Sequence, residues 1–168
     1  IVLNIDNDHL DYFKNLDNIK KSFNKYVSGL PSDGFLIINN DDKNSNELKD
    51  NTRASVVSYG IINDSDYMAS DINYDIDGCA SFDVIHNGEK LGRIELSVLG
   101  EHNIYNALSA ISLAICYGIS FDDIKKGLKK YKGASRRLEY KGKFKGASVY
   151  DDYGHHPTEI KAVYDAMK

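Results

Sequence analysis

The sequence lacks the features that define several large classes of protein. It has only two cysteines, Cys79 and Cys116, too few for a disulfide scaffold or a zinc pattern, so a reducing cytoplasm is the expected location. No apolar run approaches the roughly 20 residues that a membrane-spanning helix needs. The formal net charge of −4 argues against the strongly basic surface of a nucleic-acid-binding protein. We therefore expect neither membrane insertion nor a nucleic-acid partner.

Three short catalytic motifs are also missing from the 168 residues. There is no G-x-x-x-x-G-K-[ST] loop to cradle phosphates, no G-x-S-x-G nucleophile elbow and no glycine-rich dinucleotide-binding fingerprint. His9, His102 and His155 are too far apart in the sequence for a compact local zinc motif. A nucleotide site built from this chain would therefore need a central part from elsewhere.

The first third of the chain has the pattern of an α/β protein. The 42% hydrophobic and 27% charged fractions are ordinary for a folded chain, and the length corresponds to about one domain. Residues 1–5, 34–39 and 54–59 are short, apolar and rich in β-branched residues, which predicts buried strands. Helical spacing over 16–27 and a polar segment at 45–50 predict two connecting helices. This alternation is typical of a parallel sheet with crossover helices.

The pattern changes after Gly60. Segments 66–76, 80–87 and 91–98 alternate between apolar and polar residues, and Asp-Gly and Asn-Gly pairs separate them. Such pairs favour tight hairpin turns, so the three segments predict a small antiparallel meander on the edge of the parallel sheet.

Two helices and a partial unit are expected in the remainder. One helix carries a stripe of isoleucine and leucine from Ile104 to Ile115, and a second covers residues 120–131. Beyond Gly133, residues 136–141 and 147–151 predict two strands, and a proline opens a helix predicted over 157–168. A strand pair and one helix cannot bury a core of their own, so we expect residues 134–168 to be the start of a further domain.

The first polar segment that could carry chemistry is Asn-Ile-Asp-Asn-Asp-His-Leu-Asp at residues 4–11. It follows a predicted parallel strand, and open α/β sheets bind ligands at the carboxyl ends of such strands. His9, flanked by carboxylates, could hold a divalent cation such as Mg²⁺, which takes few protein ligands. The alternative is an ordinary polar loop in which Asp8 caps a turn.

The second polar segment opens the helix that follows residue 100. His102 and Asn106 are four residues apart and therefore share one helical face. An asparagine amide offers a donor and an acceptor together, which suits recognition of a heterocycle edge. The alternative is that His102 or Asn103 caps the helix and that Asn106 is merely solvated.

The third polar segment, residues 151–157, places two aspartates, a tyrosine and two histidines before a helix. Such a helix start suits an anionic ligand, although the same residues could simply cap the helix. The adjacent His155 and His156 should point in different directions, so at most one is expected to face a given ligand. Arg136 and Arg137 lie upstream and could clamp a phosphate, or could be exposed charges on a strand.

Taken jointly, these segments resemble the Mur ligases of peptidoglycan synthesis. The resemblance is carried by N-I-D-N-D-H-L-D, G-E-H-N-I-Y-N-A-L-S-A, S-R-R-L-E and D-D-Y-G-H-H-P-T-E, whose order and spacing fit along essentially the whole chain. It implies a cytoplasmic, ATP- and Mg²⁺-dependent amide-bond ligase of cell-wall biogenesis, needed for cell shape and division. It also implies that 1–133 is the latter part of a central ATP-binding domain, and that 134–168 begins a Rossmann-like C-terminal, amino-acid-binding domain.

The resemblance assigns the metal and adenine contacts residue by residue. His9 matches the metal-binding histidine of the family. His102, Asn103 and Asn106 match its adenine-binding segment.

It also assigns contacts to the last segment of the chain. Arg137 matches an arginine that approaches the phosphates when the C-terminal domain closes, and Asp152 matches a nucleotide-facing position. Tyr153 and His155 match positions that face the substrate. Arg137 and His155 are the residues expected to act in catalysis.

One departure from the family pattern narrows the substrate. Several Mur ligases carry a carbamylated lysine fourteen residues after the histidine that matches His9, and here that position is Phe23. Members without the lysine join either L-alanine or, in recycling, a peptide to UDP-N-acetylmuramate. We expect UDP-N-acetylmuramate and L-alanine as substrates, and no activity of this segment alone. A metal-binding or regulatory module is the alternative from another functional class.

Overall fold

A five-stranded mixed sheet positions the residues singled out above. The computed structural model describes residues 1–167. The strands lie side by side in chain order: β1 (Phe35–Asn39), β2 (Ser55–Gly60), β3 (Tyr67–Tyr74), β4 (Cys79–His86) and β5 (Glu89–Leu99). The pairs β1·β2 and β2·β3 are parallel, whereas β3·β4 and β4·β5 are antiparallel. The predicted α/β fold, a parallel sheet continued by an antiparallel meander, is confirmed.

The N-terminal segment contributes less strand than predicted. Only Val2 makes a ladder contact, a parallel bridge to Ile38 at the free edge of β1. The chain then leaves the edge because the backbone N–H of Ile5 donates to the carboxylate of Asp42 at 3.2 Å instead of to a strand. Val2 and Ile5 are nevertheless buried against the sheet. The segment therefore still delivers residues 6–11 to the carboxyl end of β1.

Six α-helices connect and cover the strands within residues 1–167. They are α1 (Leu10–Phe13), α2 (Leu16–Ser28), α3 (Lys43–Asn46), α4 (His102–Cys116), α5 (Phe121–Lys130) and α6 (Pro157–Ala166). None of these helices has the length and apolar character needed to cross a bilayer.

The polar helix predicted at 45–50 is divided in two. Asp42 caps α3, accepting from the backbone N–H of Ser45 at 2.7 Å, so this helix starts two residues early. A separate 3₁₀ turn covers Lys49–Asn51. Between the two, the Leu48 side chain is almost completely buried, which accounts for the break in a segment of otherwise polar residues.

The core lies on both faces of the parallel strands. Alternate residues of β1 point in opposite directions, so Ile37 packs with α4 on one face while Leu36 and Ile38 pack with α2 on the other. On the α4 side, Ile104 and Leu108 are fully buried. The apolar stripe predicted from the sequence is therefore the surface by which α4 is held against the sheet.

The last part of the chain forms a separate two-stranded antiparallel sheet, β6 (Glu139–Phe144) and β7 (Ala147–Asp151), followed by α6. The strand predicted over 136–141 begins only at Glu139. Arg136 and Leu138 have positive φ angles of 59° and 45°, which form a turn that a strand cannot contain. The helix predicted over 157–168 is observed as α6, and Lys168 lies outside the described residues.

The packing of α4 generates a stability prediction. Leu108→Ala should lower the free energy of unfolding by about 2–5 kcal/mol, because it leaves a cavity in a fully buried position. The matched control is Ile62→Ala at a side chain that is 78% exposed, where the change should stay within about 0.5 kcal/mol. Urea-induced unfolding followed by circular dichroism measures both. Equal losses in the two variants would contradict the assigned core.

Candidate functional site

The first and third polar segments are in direct contact. The hydroxyl of Thr158, in the first turn of α6, donates to the Asp6 carboxylate at 2.9 Å. The ring of His156 lies 2.9 Å from the carbonyl oxygen of Asn7, measured from Nε2. These contacts join residues about 150 positions apart and place the start of α6 beside the carboxyl edge of the parallel strands.

The hydrogen bonds of His156 define its tautomer. Nε2 faces a carbonyl oxygen and must carry the proton, while Nδ1 accepts from the backbone N–H of Thr158 at 3.3 Å. A neutral ring with the proton on Nε2 satisfies both contacts. The backbone N–H of Asn7 and the Thr158 hydroxyl hold the pKa of Asp6 below its ordinary value, although partial burial opposes them.

Only one histidine of the adjacent pair is presented to solvent. The His156 side chain is 19% exposed and serves as the N-cap of α6, whereas the His155 side chain is 61% exposed. Glu159 completes a capping box by accepting from the backbone N–H of His156 at 3.5 Å, and it also accepts from that of His155 at 3.2 Å. The expectation that the two rings point in different directions agrees with this geometry, and His155 is the ring left to meet a ligand.

The second polar segment opens α4 without a side-chain cap. The N-cap is Glu101, so the alternative in which His102 or Asn103 caps the helix is wrong. Instead, the Asn103 amide nitrogen donates to the carbonyl oxygen of Leu99 at 2.7 Å, which ties the helix to the end of β5. The Asn103 amide oxygen accepts from Asn106 at 3.0 Å. Asn106 lies on the exposed surface.

His102 is held in a neutral state beside the third segment. Burial, reinforced by the positive charge of Arg137 and opposed by the carboxylate of Asp152, lowers the pKa of His102. The charges of both residues therefore act on the imidazole. Gly100 provides the space, because a Cβ at this position would lie 2.7 Å from the His102 ring and 2.8 Å from the methyl group of Ala166. A neutral imidazole offers one donor and one acceptor, as recognition of a heterocycle requires.

Asp152 holds the arginine turn against the segment that precedes α6. One carboxylate oxygen accepts from the backbone N–H of Leu138 at 2.8 Å, and the other accepts from that of Gly154 at 2.6 Å. The backbone N–H of Tyr153 donates to the carbonyl oxygen of Arg136 at 2.8 Å. Both oxygens of this predicted cofactor-binding residue therefore have a backbone partner within the chain.

The two arginines stack on one tyrosine. The guanidinium carbons of Arg136 and Arg137 lie 4.7 and 5.9 Å from the centre of the Tyr153 ring. Arg137 is half exposed and has only a loose ion pair with Glu159, at 3.6 Å. Both arginines are in a turn, so the alternative that they are charges on a strand is wrong. Arg137 keeps donors that can turn toward an anionic ligand.

His9, the predicted metal ligand, is largely exposed beside the acidic side chains of its own segment. The His9 side chain is 72% exposed, and its Nε2 lies 3.7 Å from the carboxylate of Asp8. Asp6 is engaged by Thr158. Among residues 1–167, no cluster of three or more histidine, cysteine or acidic side chains could hold a metal. Mg²⁺ binds through few protein ligands and retains water and substrate oxygens, so His9 fits as one ligand, and its metal role stays a prediction.

Sequence reasoning missed two features at this edge of the sheet. The pair of Asp6 and Thr158 has no local signal, because the partners are far apart in the sequence. The second is Asp41 in the turn after β1, whose carboxylate accepts hydrogen bonds from the turn after β2 and from the hydroxyl of Tyr105 in α4. An acidic residue directly after a buried parallel strand is the one signal that could have marked it.

Comparisons with known proteins agree on one family. Residues 1–114 match the family model of the Mur ligase middle domain. The chain is 51% identical over 168 residues to the UDP-N-acetylmuramate–L-alanine ligase of Clostridium acetobutylicum, and 46% identical to that of Caldanaerobacter subterraneus. Both alignments include the whole of this chain, which spans 36% of the length of each relative. A crystal structure of MurF from Acinetobacter baumannii superposes on 98% of this chain with a TM-score of 0.85 and 26% sequence identity. The superposed region makes up 36% of the MurF chain.

The close packing at Gly100 generates a prediction with a matched control. Gly100 and Gly118 both have positive φ angles, 89° and 74°, but nothing lies within 4 Å of a Cβ at Gly118. Gly118→Ala should cost about 1 kcal/mol of unfolding free energy for the backbone strain alone. Gly100→Ala should cost about 1–3 kcal/mol more, because the new methyl group overlaps His102 and Ala166. Thermal unfolding measures the difference, and equal losses would refute the close packing.

Proposed function

The chain belongs to the Mur ligase family, and we propose that the protein containing it joins L-alanine to UDP-N-acetylmuramate while converting ATP to ADP and phosphate. The observation that carries this proposal is the match of all 168 residues, at 46–51% identity, to relatives named for that reaction. The chain spans only 36% of their length, so the activity is proposed for the longer protein. We assign the reaction to cytoplasmic peptidoglycan synthesis, and through it to cell shape and division.

We propose that the chain contains parts of two domains. Residues 1–133 would form the latter part of the central ATP-binding domain, and 134–168 would begin the amino-acid-binding domain. The separate sheet of β6 and β7 supports this division, as does the match of the middle-domain family to residues 1–114. Gly133, with a φ of 94°, is the proposed hinge.

The chemical difficulty of the reaction is electrostatic. A carboxylate oxygen of UDP-N-acetylmuramate must attack the γ-phosphorus of ATP, although both partners are negatively charged. The resulting acyl phosphate is then attacked by the amine of alanine, and the phosphate leaves with the oxygen that bound it. Positive groups fixed at the phosphates lower both barriers. Arg137 is the cation of this chain proposed to approach them.

The adenine end of ATP is assigned to the start of α4. A neutral His102 and the amides of Asn103 and Asn106 offer donors and acceptors along one surface, which is the requirement for recognising a heterocycle. Mg²⁺, with His9 as one ligand, would neutralise phosphate charge when bound. The chain has no G-x-x-x-x-G-K-[ST] loop, so the phosphates also need donors from outside residues 1–168.

The segment before α6 is assigned to the nucleotide and the amine substrate. Tyr153 is exposed and stacks on the arginine pair, and the His155 ring lies 5.6 Å from it between centroids. We propose that Tyr153 and His155 face the amino acid, with His155 placed to accept a proton from its ammonium group. Asp152 contributes to nucleotide binding indirectly. Its carboxylate holds the turn that carries Arg137, and Arg137 contacts the phosphates.

The division of the site across a longer protein generates an activity prediction. Residues 1–168 alone, mixed with ATP, UDP-N-acetylmuramate and L-alanine, should release no phosphate above background, whereas the full-length protein should release it. In the full-length protein, Asn106→Ala should raise the KM for ATP roughly tenfold, through loss of hydrogen bonds to a heterocycle. Asn73→Ala, at an exposed asparagine of β3, is the control and should leave the KM unchanged. Phosphate release by the segment alone would overturn the proposed division.

Family members without a lysine at the position of Phe23 use either L-alanine or, in recycling, a preformed peptide. The peptide is therefore the competing acceptor substrate. The full-length protein should form an amide bond with L-alanine at a kcat/KM at least about tenfold higher than with a tripeptide, since pocket contacts of about 1–3 kcal/mol separate acceptors that differ in size. Coupled ADP release with each acceptor measures this ratio. A higher kcat/KM for the tripeptide would show that the protein catalyses the recycling reaction instead.

A further inference from the structure

We propose that Asp41 is a positioning residue for the nucleotide-binding end of α4, and that it acts through the hydroxyl of Tyr105. The inference rests on the proposed function, because it assigns the start of α4 to adenine. Neither Asp41 nor Tyr105 is among the site residues expected from the family resemblance. What distinguishes them is a set of four hydrogen bonds at the edge of the sheet where the polar segments meet.

The Asp41 carboxylate is enclosed by the turn that follows β2. One oxygen accepts from the backbone N–H groups of Ile61 at 2.6 Å and Ile62 at 3.0 Å, and the other accepts from that of Asn63 at 2.7 Å. Three successive amides thus point at a single carboxylate from the neighbouring strand end. The turns after β1 and β2 are thereby locked to each other.

The turn has no space for a side chain at its first position. A Cβ at Gly60 would lie 3.1 Å from each oxygen of Asp41 and 3.0 Å from the hydroxyl of Ser65. Burial alone would raise the pKa of Asp41, but the three amides and the Tyr105 hydroxyl outweigh it, so its pKa lies below the ordinary value. The carboxylate therefore stays ionised and accepts all four hydrogen bonds at neutral pH.

The fourth hydrogen bond comes from a different part of the fold. The hydroxyl of Tyr105 donates to Asp41 at 3.0 Å across 64 positions of sequence. Burial, with the negative charge of Asp41 and the hydrogen bond to it, raises the pKa of Tyr105, and Glu101 and Tyr59 raise it further. The phenol is therefore a permanent donor. This contact attaches α4 to the locked pair of turns, independently of the apolar face that packs on the sheet.

The position of Tyr105 in α4 explains the consequence for a nucleotide. It lies between the fully buried Ile104 and the exposed Asn106, so it sits at the boundary between core and site. The hydrophobic effect is non-directional, so burial of the apolar face does not by itself select one rotation of the helix. A rotation of about 10° moves a side-chain tip about 5–6 Å from the helix axis by roughly 1 Å. The Tyr105 hydrogen bond opposes this rotation and keeps His102 and Asn106 in register.

The test uses Tyr105→Phe in the full-length protein, which removes only the hydroxyl. The KM for ATP should rise about three- to tenfold, while kcat and the KM for L-alanine change less than about twofold, since a misplaced contact weakens binding of the group it recognises. Tyr117→Phe, at the exposed end of the same helix, is the matched control and should change none of the constants. Thermal unfolding of each variant is recorded alongside.

A second variant alters the acceptor of the same hydrogen bond. Asp41→Asn replaces an acceptor oxygen by a donor, and should raise the KM for ATP at least as much as Tyr105→Phe. A double variant no worse than Asp41→Asn alone supports action through one contact. An unchanged KM for ATP in both variants overturns the proposal. An equal rise in the KM values for ATP, UDP-N-acetylmuramate and L-alanine also overturns it. A wild-type protein that forms no amide bond refutes the proposed function instead, so the two failures are distinguishable.

Discussion

The packing of α4 across the parallel strands is the interaction on which the rest of the structure depends. Ile104, Leu108 and Ile111 are fully buried between this helix and the sheet. The same helix begins with His102, so the hydrophobic contact that stabilises the core also carries the polar residues of the candidate site to the sheet edge. Burial fixes the position of the helix, while directional hydrogen bonds, from Asn103 to Leu99 and from Tyr105 to Asp41, fix its orientation.

The second constraint is the contact between the start of α6 and the turn after the N-terminal segment. His156 and Thr158 reach Asn7 and Asp6 through two short hydrogen bonds. Because α6 follows the loop that carries Asp152 and Tyr153, this contact brings that loop toward the carboxyl edge of the parallel strands. At the other end of α6, Ala166 lies close to Gly100. Closure of a site by few polar contacts would permit the domain movement proposed around Gly133.

Local sequence patterns predicted the elements well and the site only in part. The apolar stripe of α4 and the Asp-Gly and Asn-Gly turns are local signals, so the helix and the meander could be predicted from periodicity alone. The turn at Arg136 could not, because positive φ angles at arginine and leucine have no sequence signature. The contact of Thr158 with Asp6 depends on tertiary packing. The roles of His9, Asn106 and Arg137 come from the family resemblance rather than from local physics, and remain predictions.

We propose that the protein containing this chain activates a carboxylate with ATP. The most direct measurement uses UDP-N-acetylmuramate labelled with ¹⁸O in its carboxylate, turned over by the full-length protein with ATP and L-alanine. An acyl phosphate requires the attacking carboxylate oxygen to leave with phosphorus when the amine displaces it. The account predicts one ¹⁸O atom in each phosphate released per amide bond formed, as read by mass spectrometry. Amide formation with unlabelled phosphate would contradict it.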